Sequence, residues 1–133
     1  MRVVVCGGRH YRNAEFVFRK LNELHAEKHF RDLMQGGATG ADSLARDWAL
    51  TKPEIVMWVV RADWTDLSHP DAVIRVRQNG TKYDAKAGHR RNRKMLAWLP
   101  DLVVAFPGGK GTADMVEQAR AADVKVIEVI EVK

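Results

Sequence analysis

The chain has 133 residues and a mass of 15.0 kDa, with 46% hydrophobic, 29% charged and 8% aromatic residues, the make-up of one ordinary globular domain rather than of a disordered or fibrous chain. No run approaches the roughly 18 to 20 apolar residues of a membrane-spanning helix, the first residues lack the apolar core of a signal peptide, and the single cysteine, Cys6, excludes an internal disulfide, so a cytoplasmic protein without membrane partners is expected. Lysine and arginine number 22 against 17 acids, for a net charge of +5; the segment from Arg75 to Lys94 alone carries +7, through eight basic residues and one acid, Asp84, and such a local excess draws an anion.

Arg2–Cys6 is a β-branched run stopped by Gly7-Gly8, the pattern of a buried strand and a tight loop. Asn13 is placed to cap a helix with Val17, Leu21 and Leu24 on its inward face. A short strand over 32–35 ends at Gly36-Gly37, and a helix starting near 40–42 should bury Leu44, Ala45, Trp48 and Ala49. A third strand runs over 55–60. The stretch from about 65 to 88 is the least patterned, a basic excursion with a hairpin expected around Asn79-Gly80. A helix over 90–99 turns Met95 and Trp98 inward and is closed by Pro100. Strands over 102–106 and 124–129 flank a last helix over 112–122, with Met115, Val116 and Ala119 inward. This alternation predicts a single domain over residues 1–133 of the α/β class, Rossmann-like and three-layered, with a mainly parallel sheet of about five strands and helices on both faces.

Ligands of such sheets sit beyond the carboxyl ends of the strands, where strand order reverses. Three strands end there in glycine pairs. The strongest motif is Pro107-Gly108-Gly109-Lys110-Gly111-Thr112 between a strand and a helix, where glycines let amides face an anion and the helix start adds about half a positive charge. Thr112 suits both capping and donation of its hydroxyl to phosphate. The spacing is neither that of a P-loop nor G-x-G-x-x-G. Gly36-Gly37-Ala38-Thr39-Gly40-Ala41-Asp42 repeats the logic, with Asp42 placed to cap a helix or to accept from a ribose hydroxyl. In Gly7-Gly8-Arg9-His10-Tyr11, Arg9 is suited to pair with phosphate and Tyr11 to stack on a base. His69 with Asp63, Asp66 and Asp71 has no defined metal spacing, and no metal site is expected. Cys6 reads as a small strand hydrophobe.

Gly7-Gly8-Arg9-x-Tyr11, Gly36-Gly37-Ala38-x-Gly40-Ala41-Asp42, Ala62-Asp63-Trp64, Arg91-Asn92-x-x-Met95 and Pro107-Gly108-Gly109-x-Gly111-Thr112-Ala113-Asp114-Met115 occur together and in order. With them the chain resembles small stand-alone members of the SLOG superfamily, of the YspA-related kind. These are Rossmann-like proteins akin to the "Lonely guy" phosphoribohydrolases and to the DNA-processing protein DprA. The resemblance runs from Arg2 to about Val129 and implies a nucleotide-type ligand and a homo-oligomer. In the Lonely guy pattern an arginine and the second of two acids are catalytic. Arg91 matches the arginine, Asn92 stands in the place of a lysine, Asp114 falls on the first acid and Met115 on the second. A thioether cannot relay a proton. Asp114, about 100° away around a helix, serves as the acid only if the ligand lies differently.

Three functions follow. The first is a nucleotide-binding sensor or carrier, with Pro107 to Thr112 holding phosphate alongside Arg91 and Asn92. Gly7, Gly8, Arg9, Gly36, Gly37, Gly40 and Asp42 then line the cleft, and Trp64 or Tyr11 covers the base. The second is a hydrolase of an N-glycosidic or phosphate bond in the same ligand class, using Arg91 and Asp114. The third is a nucleic-acid binder tracking phosphates with Arg75, Arg77, Lys82 and Lys86 and stacking a base on Tyr83 or Trp64. The small phosphorylated ligand is the partner that explains most of the motifs.

Overall fold

In a computed structural model, which describes residues 1–131, the apolar runs become β1 (Arg2–Cys6), β2 (Asp32–Gln35), β3 (Val56–Val59), β6 (Leu102–Ala105) and β7 (Lys125–Glu128). Between them lie α1 (Ala14–Lys28), α2 (Ala41–Leu50), α3 (Ala87–Ala97) and α4 (Lys110–Ala121), and a separate hairpin is made by β4 (Ile74–Val76) and β5 (Lys82–Asp84). The five strands form one parallel sheet in the order β3-β2-β1-β6-β7. This is the Rossmann-like α/β architecture that the alternation predicts.

The period-two alternation of β1 sorts the core into two layers. Val3 and Val5 face one way, into a cluster with Val17 and Leu21 of α1 and Ala45 and Trp48 of α2. Val4 faces the other way, with Met95 and Leu96 of α3 and Met115 and Ala119 of α4. Each of these three valines has no exposed surface, as expected of a central strand covered on both faces. Asn13 caps α1, its side-chain oxygen accepting from the Phe16 amide at 3.1 Å. The strands over 55–60 and 124–129 are each trimmed by one residue at both ends, and Leu44 and Trp98 are only half-buried.

Two helices start earlier than their sequences predict. α3 begins at Ala87 rather than Arg90, with Lys86 at its N-cap and no side-chain cap; the turn before it is braced by the buried Asp84, whose Oδ1 accepts from the Lys86 amide at 2.9 Å and the Val73 amide at 3.1 Å. A helix entered through Ala85-Lys86 without a capping side chain carries no local signal of its start. α4 begins at Lys110 rather than Thr112, and its N-cap is Gly109, with no side-chain cap. Thr112 therefore sits inside the first turn and does not cap it. The hairpin turn lies where Asn79-Gly80 places it: Gly80 takes φ +85°, and its amide donates to the Arg77 carbonyl at 2.9 Å.

Candidate functional site: a cleft over the strand-order reversal

Strand order reverses between β1 and β6, so the loops leaving these two strands diverge and open a cleft at their carboxyl ends. Its volume is about 940 Å³. The loops are held to each other by backbone. The Gly8 amide donates to the Pro107 carbonyl at 2.9 Å, and the Gly8 carbonyl accepts from the Ala41 amide at 3.0 Å. A Cβ on Gly8 would lie 3.0 Å from the Pro107 carbonyl oxygen, and one on Gly108 would lie 2.7 Å from the Gly8 amide nitrogen and collide with Thr112 Oγ1. Gly40 combines φ +77° with a Cβ position overlapping the backbone of Gly8 and Arg9. The close approach these glycines serve is therefore loop against loop. Gly7 likewise faces Ala41 and Phe106, and Gly36 faces the Arg91 guanidinium.

Gly109 and Gly111 differ. A Cβ on either would meet no atom within 4 Å, and both border the cleft. They stand at the start of α4, where the amides of Lys110, Gly111 and Thr112 precede the first helical bond, from Ala113 to the Gly109 carbonyl at 3.0 Å. Among the described residues these three amides have no partner outside their helix. Unsatisfied donors at a helix start, with the dipole behind them and open space in front, are suited to an anion.

Arg91 reaches the cleft from α3. Its Nη1 donates to the Gly36 carbonyl at 3.0 Å and its Nε to Asn92 Oδ1 at 3.0 Å. The buried Asn92 passes the connection on, donating from Nδ2 to the Gly111 carbonyl at 3.2 Å and to Asp114 Oδ2 at 2.9 Å. One polar chain thus ties the β2–α2 loop to the first turn of α4. Arg90 points elsewhere. It pairs with Asp84 at 2.6 Å and Asp71 at 2.8 Å, so it anchors the hairpin segment and does not serve the glycine loop as its neighbour does.

Asp114 lines the cleft, and Met115 is 1% exposed within the core. The Asp114 carboxylate accepts from Asn92, from Gln118 at 2.8 Å, and sits 2.7 Å from His89 Nδ1. Burial pushes its pKa up, but the three donors outweigh it and hold the carboxyl below the ordinary range. At neutral pH it is ionised and has no proton to give. His89 and Gln118 were not among the expected site residues; the i, i+4 spacing of Asp114 and Gln118 was the one sequence signal for them.

Asp42 is buried, and α2 has no side-chain cap; its Oδ2 accepts instead from the Ala38 amide at 3.2 Å. It braces its own loop rather than capping the helix. Burial raises its pKa, against the loop amides and the nearby Arg91 charge. Burial, reinforced by the Asp42 charge, also pushes the Cys6 thiol up to about 12, which leaves it unreactive at neutral pH. The Tyr11 hydroxyl donates to Glu131 at 2.8 Å and its ring packs 6.2 Å from Phe106, so its polar end is engaged although it borders the cleft. Trp64 lies over Gly88, where a Cβ would come within 3.0 Å of the indole, and meets Tyr83 edge-on at 6.4 Å. Both aromatic rings form a wall of the cleft; Tyr83 enters the sequence reading only as a base-stacking residue for nucleic acid. Gly37, at φ +73°, lies against Arg61 and, like the exposed Pro107, does not line this cleft. Asp63 and Asp66 hold their own turns through Thr65 and Ser68. Among the described residues no group of three or more His, Cys, Asp or Glu is placed to hold a metal ion, and no helix is long and apolar enough to cross a membrane.

The chain is 30% identical over 129 residues to the Gene 61 protein of Mycobacterium phage D29, an alignment covering 95% of this chain and 94% of that protein. Residues 1–66, which hold β1, the first glycine loop and the whole β2–α2 loop, match the model of the YspA, cpYpsA-related SLOG family. The chain belongs to the YspA-related SLOG family.

Proposed function

We propose that the protein binds a nucleotide or phosphorylated nucleoside, with the phosphate on the first-turn amides of α4 and the base against Trp64 and Tyr83. The observation that carries this reading is the contrast among glycines. Those at the loop crossings are demanded by packing, whereas Gly109 and Gly111 face empty cleft beside three amides without outside partners. Packing gives no reason for glycine at those two positions, and close approach of a phosphate does. Membership of the SLOG family is compatible with nucleotide-related binding. A sensor or carrier role fits best, because the position of the Lonely guy catalytic acid is a core methionine and the neighbouring acid is ionised.

Hydrolysis of the same ligand is the second reading, favoured by one observation. A histidine whose Nδ1 is directed at a carboxylate presents Nε2 as a base, and His89 borders the cleft. A homo-oligomer would cover the exposed apolar side chains of the edge strand β3, where Val56 and Trp58 are about half exposed; sedimentation at several concentrations reads this directly. The binding reading is tested by thermal unfolding against nucleoside mono-, di- and triphosphates, ADP-ribose-type molecules and ribose 5-phosphate. A ligand at about a hundred times its Kd stabilises the fold by about 2.7 kcal/mol. A shift for one ligand class supports it, no shift with any member refutes it, and release of free base or phosphate in the same mixtures decides for hydrolysis.

A further inference from the structure

Beside the main cleft, between the β4–β5 hairpin and the β2–α2 loop, lies a second compartment of about 640 Å³. Its charged lining consists of Arg9, Arg61, Arg77 and Arg91, without any carboxylate. Arg31, Arg46, Arg90 and Arg120 each pair with an acid, and none of the four lines this compartment. The four that do line it form no ion pair among the described residues. Two of them are fixed by the loop itself: Arg61 Nη1 donates to the Gly37 carbonyl at 2.9 Å and Arg91 Nη1 to the Gly36 carbonyl at 3.0 Å. Arg77 is laid over the Tyr83 ring, its guanidinium carbon 4.4 Å from the ring centre. These contacts orient three of the four guanidinium groups and leave most of their donors free, and Arg9 is exposed.

Like charges gathered around one hollow repel each other, and a multiply hydrogen-bonded anion relieves that repulsion. The loop amides are not competitors for it, since those of Gly37 and Ala38 already donate to Gln35 and Asp42. Arg9, Arg91, Trp64 and Tyr83 border both compartments, so the two adjoin. We infer that the ligand carries two separated anionic groups, one on α4 and the other among these arginines, with its aromatic part against Trp64 and Tyr83. The chemical class is a nucleotide phosphorylated at both ends or a dinucleotide bearing a terminal phosphate.

This inference rests on the binding reading above, and calorimetric titration separates the two. The probes are adenosine 5′-monophosphate, adenosine 3′,5′-bisphosphate and the dinucleotide 5′-pApA, with wild type, Arg77→Ala and Arg9→Ala. The expected result is at least tenfold tighter binding of one doubly anionic probe than of the monophosphate. Arg77→Ala should erase most of that advantage, weakening the doubly anionic probe at least tenfold more than the monophosphate. Equal affinity for all three probes overturns the second subsite and leaves the binding reading standing. Binding of none overturns both. Affinity that keeps rising with the length of an oligonucleotide, with a steep salt dependence, assigns the arginines to a nucleic-acid backbone and also overturns the inference.

Discussion

Gly111→Ala should make the protein more stable and its ligand site worse. Gly111 occupies the second helical position of α4, its φ is not positive, and an added Cβ would meet no protein atom within 4 Å. Replacing glycine in a helical conformation lowers the conformational entropy of the unfolded chain and should stabilise the fold by about 0.5–1 kcal/mol. For a chain of this size that raises the unfolding midpoint by about 2–4 °C. The same methyl group projects where we place the phosphate. Losing one charge-assisted hydrogen bond there costs about 1.5–3 kcal/mol, so the Kd for a nucleoside monophosphate should rise at least tenfold. Both quantities come from paired measurements on one variant, a melt without ligand and a calorimetric titration. A variant that is stabilised and binds as tightly as wild type would refute the idea that open space at Gly111 serves the ligand. A destabilised variant would mean that the helix start is misjudged.

Gly40→Ala should behave oppositely, since its φ of +77° and the backbone of Gly8 and Arg9 both oppose a side chain; strain and overpacking at about 1–3 kcal/mol each should lower the midpoint by roughly 10 °C. Met115→Ala should cost about 2–5 kcal/mol in denaturant melts through the cavity it leaves, with monophosphate affinity nearly unchanged. Asp114 has its folded pKa held below the unfolded value of about 3.9. Its contribution is therefore present in full above that value and is lost as the pH falls through the folded pKa. The stability difference between wild type and Asp114→Asn should accordingly be constant near neutral pH and shrink below about pH 4, as read by melts across that range. Arg90→Ala should speed amide exchange in the hairpin and at the start of α3, where it pairs with Asp71 and Asp84, without weakening phosphate binding.

The sheet and its helices were legible because their signals are local. β-branched runs, glycine pairs after strands and the Asn13 cap each mark an element within a few residues, and the Asn79-Gly80 turn marked the hairpin. The helix starts at Ala87 and Lys110 were not legible because no standard cap precedes them; Asp84 works from outside its helix, and α4 begins on a bare glycine. The glycine loops could be found in the sequence but not sorted. Whether a glycine faces another loop, as Gly8 and Gly40 do, or open cleft, as Gly109 and Gly111 do, depends on chain crossings separated by up to about a hundred positions. The same holds for charge. Arg90 and Arg91 are adjacent, yet a helix points them roughly 100° apart, one to the hairpin acids and the other to Gly36. His89 and the arginine compartment appear only when α3, α4, the hairpin and the β2–α2 loop are brought together.

The central claim concerns three backbone amides, and amide-resolved nuclear magnetic resonance observes them directly. An assigned protein titrated with a nucleoside monophosphate should show its largest saturable shifts at Lys110, Gly111 and Thr112, with smaller ring-current shifts around Trp64 and Tyr83. Saturable shifts that leave the start of α4 untouched, or no saturable shifts at millimolar ligand, would contradict the account.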